Sequence, residues 1–123
     1  MDLDALCRTI ADWASGKKLI KRVYVFGSRA RSDYRPDSDL DIAVELDPAE
    51  FPGSDESGGL ATWMFETGDW QAEVQTLVGY VVDLEQLVDM TATPTIAKGV
   101  AASSRLAYEK SGASSRASSR PRP

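Results

Sequence analysis

Histidine is absent from this chain of 123 residues, and cysteine occurs once, at Cys7. The first absence removes Ser-His-Asp triads, histidine general bases and His-Cys zinc sites, and the second removes any internal disulfide. Catalysis would have to run on carboxylates, hydroxyls or lysines. Long apolar runs are missing too, with no stretch near the roughly eighteen residues a membrane-spanning helix needs. The chain opens Met1-Asp2-Leu3-Asp4, acidic where a signal peptide is basic. The expectation is a cytoplasmic protein with no membrane segment. Its length suits one domain with one modest core.

Positive charge is scarce where it would matter for nucleic acid. Residues 1–104 hold nine Lys or Arg against eighteen Asp or Glu, a net of −9, whereas residues 105–123 hold five against one, a net of +4. An acidic body argues against broad nucleic-acid binding through the domain surface. The final stretch, residues 111–123, reads SGASSRASSRPRP. It has no apolar anchors and is expected to be a disordered basic tail, leaving residues 1–110 as the domain.

What is present is a set of short periodic segments. Leu3, Leu6, Cys7, Ile10, Trp13 and Ala14 recur at helical spacing, with Asp2, Asp4 and Asp12 opposite them. That helix should end at Ser15-Gly16, where Lys17 and Lys18 suit a helix C-terminus. Lys17, Lys18, Lys21 and Arg22 form a basic cluster, most simply a charged loop. Val23–Phe26 and Leu40–Leu46 have the length and β-branched or aromatic content of buried strands. Residues 47–59, rich in Pro, Gly, Ser and acids, should form an exposed loop. Residues 60–78 carry a helical period with an interruption near Thr67-Gly68-Asp69, which predicts one broken or two short helices with Asp69 capping the second. Trp63, Phe65 and Trp70 should pack into the core. Gly79–Leu84 reads as a third strand, and residues 95–110 as a last helix capped by Thr93 or Thr95.

The segment that carries chemistry is VYVFGSRARSDYRPDSDLDIAVEL, residues 23–46. Gly27 and Ser28 leave the first strand, ten residues intervene, and Asp39 and Asp41 then flank Leu40. Alternation along a strand puts both aspartates on one side, with Cα atoms roughly 6.5 to 7 Å apart. Two such carboxylates repel unless a cation lies between them, and magnesium takes one or two protein carboxylates while keeping water and phosphate in its shell. Gly27 allows a turn with no Cβ in a ligand's way, and Ser28 adds a hydroxyl and an amide where a short helix over 29–32 could begin. Arg29 and Arg31 supply charge for phosphate oxygens. At average residue usage the four fixed positions coincide by chance on the order of once in a thousand chains this long.

This segment resembles the nucleotidyltransferase motif of the DNA polymerase β-like superfamily, a Gly-Ser pair followed after ten residues by D-x-D, and it is most similar to the minimal nucleotidyltransferases. The chain departs from the usual pattern at Ser32, where relatives often carry glycine after Arg-Ala-Arg. The resemblance implies an α/β (α+β) fold with a small mixed sheet flanked by helices. It implies ATP as donor and magnesium, two ions, as cofactor. Gly27, Ser28 and Arg29 would hold the triphosphate, and Asp39 and Asp41 would ligate metal. YVVDLEQL, residues 80–87, is similar to the strand that carries the family's third acid, which makes Asp83 the candidate, with Glu85 on the same face as its rival. Many minimal nucleotidyltransferases are antitoxins that add AMP to a tyrosine of a HEPN-domain ribonuclease toxin, so such a toxin is the expected partner. Two alternatives remain open on the residues alone: a binding module that inhibits by contact, and transfer to a small molecule of the aminoglycoside type.

Overall fold

The structure is a computed structural model of the chain, and it describes residues 2–27, 39–51, 59–88 and 93–110. Helix α1 spans Leu3–Ser15, strand β1 Ile20–Phe26, strand β2 Leu40–Leu46, helix α2 Leu60–Val78, strand β3 Val82–Gln86, helix α3 Pro94–Ala102 and strand β4 Ser104–Glu109. The strands form one mixed sheet in the order β3-β2-β1-β4. β1 runs antiparallel to β2 and to β4, and β2 runs parallel to β3. This is the α+β architecture expected from the sequence. No helix among the described residues is long and apolar enough to cross a membrane.

Local chemistry accounts for the helix ends. The Asp2 carboxylate accepts a 2.8 Å hydrogen bond from the Ala5 N–H and caps α1, and Asp4 adds negative charge to its first turn. α2 starts at Gly59, whose φ of +102° lies in the left-handed region and whose missing side chain leaves room for the Phe51 ring, 2.5 Å from where a Cβ would stand. It ends at Gly79, again left-handed at φ +79°.

The core lies on one face of the sheet. Leu40, Ile42, Val44 and Leu46 of β2, Val23 and Val25 of β1, and Val82 and Leu84 of β3 all turn to α1 and α2 and are buried. The helices answer with Leu6, Ile10 and Trp13 from α1 and Trp63, Trp70 and Val74 from α2. Trp70 joins them, edge-on to Trp13 with centroids 6.0 Å apart and to Trp63 at 6.1 Å. Such pairs add about 0.5 to 1.5 kcal/mol each beyond burial.

Four expectations are corrected. α2 is continuous through Thr67-Gly68-Asp69, so Asp69 caps nothing. Gly68 costs about 1 kcal/mol against alanine in a helix, but Trp63, Trp70 and Val74 bury on one face and carry the helix across it. Phe65, expected in the core, is 84% exposed. β3 begins at Val82, because left-handed Gly79 ends the preceding helix. Finally, residues 95–110 are not one helix. α3 stops at Ala102, and Ser103 is extended at φ −166°. Residues 104–109 then pair with the free edge of β1, whose backbone groups need partners on both sides. The expectations for Ser28, Arg29 and the helix over 29–32, and for the tail from 111 onward, lie outside the described residues.

β3 forms one margin of the sheet, and α2 covers that margin. The Gln75 side-chain oxygen accepts from the Val82 N–H at 3.0 Å, and that of Gln71 from the Leu84 N–H at 3.3 Å. Two side chains one helical turn apart thus meet two N–H groups that point away from β2. Replacing Gln75→Ala leaves the Val82 donor unmet and should destabilise the domain by about 1 to 2 kcal/mol. The check is a denaturant or thermal unfolding curve, and an unchanged midpoint would show that the glutamine ladder carries no weight.

Candidate active site

The face of the sheet opposite α1 and α2 is polar, and its residues fall into rows across the strands. One row runs Ser104, Phe26, Asp41, Asp83; the next runs Leu106, Tyr24, Ala43, Glu85. A third holds Glu109, Arg22 and Glu45, where the Arg22 guanidinium donates at 2.9 Å to each carboxylate and is held more strongly protonated by them. α3 lies over the β1 part of this face, with Gly99 close enough to the Phe26 ring that a Cβ would stand 3.1 Å from it.

Asp41 and Asp83 are therefore brought together by strand pairing. Parallel neighbours lie about 4.8 Å apart, and these two are Cα partners on the same face. Asp41 is half-buried and Asp83 exposed. Glu85, two residues along β3, shares a hydrogen bond with the Asp83 carboxyl. Burial first, then Asp83, then Asp41 push its own carboxyl up to about 7. Asp39 sits just before β2, exposed, on the side that alternation assigns to Asp41.

Gly27 closes the site from the β1 side. It is left-handed at φ +73°, and a Cβ there would overlap the Asp41 Oδ2 and come within 3.2 Å of Cγ. The strand exit and the aspartate are thus packed against each other, and only glycine allows both the turn and the approach. This contact could not be read from spacing alone, since Gly27 and Asp41 are joined by the pairing of Phe26 with Asp41.

The donor set fits a hard divalent cation: all oxygens, all carboxylates, crowded enough that Glu85 keeps its proton near neutrality. Among the described residues no three such groups already close on one metal-sized point.

Comparison with known proteins bears on the family and the fold. The sequence profile of the family described as "Polymerase beta, Nucleotidyltransferase" matches residues 8–113. Among solved structures, a toxin-antitoxin complex with AMP-PNP contains a chain similar at TM-score 0.59 and 19% identity, covering 85% of this chain and 74% of that one. A mutant of the toxin-antitoxin MntA-HpeT carrying two Asp-to-Glu changes gives 0.56 and 14%, covering 90% and 76%. A tri-AMPylated Shewanella oneidensis HEPN toxin in complex with MNT antitoxin gives 0.51 and 15%, covering 88% and 74%. At these identities the likeness is one of fold. No curated protein matches the chain at a significant level.

Two outcomes test the site's geometry without any ligand. Gly27→Ala should lose about 1 to 2 kcal/mol from the left-handed turn, plus a steric part that Asp41→Ala relieves. The double variant should accordingly be less destabilised than the sum of the singles, and strict additivity would refute the contact. The second concerns Glu85. Its folded value of about 7 lies above the ordinary 4.5, so the folded state holds its proton longer and stability falls as pH rises between the two values, staying low above them. Glu85→Gln, in chelator, should raise the melting temperature at about pH 8 and lose that advantage toward about pH 4. Equal melting curves at both ends would remove the crowding.

Proposed function

The chain belongs to the polymerase β nucleotidyltransferase family, and on that premise we propose that it transfers AMP from ATP to a hydroxyl group of a partner protein. The observation that carries the reading is Asp41 set beside Asp83 by parallel strand pairing, with the Gly27 turn packed on the Asp41 carboxylate. In this reading Gly27 and Ser28 hold the β- and γ-phosphates through backbone amides and the serine hydroxyl, and Arg29 steadies the triphosphate. Asp39, Asp41 and Asp83 would hold magnesium, with Glu85 beside them; when bound, the ions neutralise triphosphate charge and favour the ionised form of the attacking hydroxyl. Asp83 would help take that hydroxyl's proton. Its oxygen then forms a bond to the α-phosphorus as the bond to the bridging oxygen breaks, and pyrophosphate leaves. Positioning and charge neutralisation are the protein's contribution.

The acceptor we propose is a tyrosine of a HEPN-type toxin, which makes the chain an antitoxin. Support comes from the similar fold of the toxin-antitoxin structures, one with AMP-PNP and one with a tri-AMPylated HEPN toxin. The described elements, from α1 to β4, also form a single sheet domain with no second lobe for a small acceptor among them. Residues 1–110 would be the catalytic unit. The test is to incubate the chain with labelled ATP, magnesium and a HEPN-type toxin protein. Label should appear on the partner, and Asp41→Asn should reduce it by about a hundredfold or more while leaving the fold intact. Undiminished pyrophosphate release by that variant would overturn the assignment.

A further inference from the structure

Helix α2 buries one side in the core and turns its glutamines to β3, yet its outer side is uncharged and exposes large apolar residues. Its buried side consists of Thr62, Trp63, Trp70, Val74 and Val78. At 100° per residue, Gly68, Ala61, Ala72, Phe65 and Thr76 fall on the opposite side, with Met64 at its margin beside Gln75, whose side chain reaches β3. None is charged. Met64 is 69% exposed and Phe65 84%. A surface helix in water ordinarily turns its charged residues outward, and one that is apolar all round belongs in an interior. The same face leads into an open groove of about 450 Å³ between α1 and α2, lined by Trp13, Ala72, Glu73, Thr76 and Leu77.

Two observations say what covers this face. The segments outside the described residues hold only Met1, Tyr34 and Met90 among Val, Leu, Ile, Met and aromatic residues, and 52–58 and 111–123 hold none, so none of them offers an apolar run that would bury it. α2 itself carries charge of one sign: Glu66, Asp69 and Glu73 lie along one edge with no Lys or Arg in its 19 residues, and of these Glu73 is already paired with Lys17 at 2.9 Å, which leaves Glu66 and Asp69 to meet a partner's cations. A second copy docked antiparallel about a two-fold axis would set this acidic edge against itself.

We propose that the outer face of α2 is the docking surface for an amphipathic helix of a partner protein, its apolar stripe seated on Phe65, Met64 and the groove beside Trp13 and its lysines or arginines along Glu66 and Asp69. Small Ala61, Gly68 and Ala72 let the partner's backbone come close, and Phe65 is the anchor. The surface lies on the opposite side of the sheet from Asp41 and Asp83, so docking and chemistry use different faces. It does not depend on the chain being a transferase.

The probe is an eighteen-residue Leu/Lys amphipathic helical peptide, titrated into the isotope-labelled full chain and followed by amide shifts, beside a Leu/Glu peptide of the same pattern. The basic peptide should shift residues 61–76 and Trp13. Phe65→Asp should weaken it at least tenfold with circular dichroism and triphosphate binding unchanged, and the acidic peptide should bind at least tenfold more weakly. Equal binding of the two peptides, unchanged affinity in Phe65→Asp, or shifts confined to the carboxylate face would overturn the proposal. So would a dimer in sedimentation that Phe65→Asp dissociates, since the occupant would then be a second copy.

Discussion

Parallel pairing of β2 with β3 puts Asp41 and Asp83 side by side, and most of the molecule serves to hold that pairing in register. A parallel pair cannot be closed by a tight turn, so the chain must cross over between the strands. α2 is that crossover. It packs Trp63, Trp70 and Val74 onto the core while Gln71 and Gln75 reach the outer N–H groups of β3. A slip of one residue would send Asp83 into the core and Val82 or Leu84 into water, and burial forbids it. Like charges are thus assembled by apolar forces acting on the other face of the same strands.

That arrangement stores an electrostatic conflict. Glu85 and Asp83 share a hydrogen bond, and the Glu85 carboxyl is pushed up to about 7 by its burial and its acidic neighbours. Elsewhere on the same face the chain avoids such crowding, setting Arg22 between Glu45 and Glu109. The rows nearest Gly27 instead set Asp41, Asp83 and Glu85 close together.

Much of this was legible in the chain. Leu6, Ile10 and Trp13 at helical spacing identify α1, and alternating apolar residues identify β2, because one-sided burial writes its period into the residues. The same alternation places Asp41 away from the core, and Asp83 with Glu85 on one side of β3. Local signals failed where a tertiary partner outweighed them. Gly68 reads as a break but is carried by tryptophans on either side of it, and Ser104–Glu109 looks helical in isolation but takes the free edge of β1. Phe65 reads as core because residue type says nothing about which face of a helix finds a neighbour.

By itself, then, the order of residues determined which segments bury an apolar face, which acids ride on strands, and that a Gly-Ser pair precedes them at the family's spacing, since each is a matter of near neighbours along the chain. Tertiary structure alone decided that Asp41 lies beside Asp83 rather than elsewhere, that Gly27 touches the Asp41 carboxylate, and that α2 keeps an apolar face in water. Those depend on which strands become neighbours and how much surface one small domain has to cover its helices, and neither quantity is local in sequence.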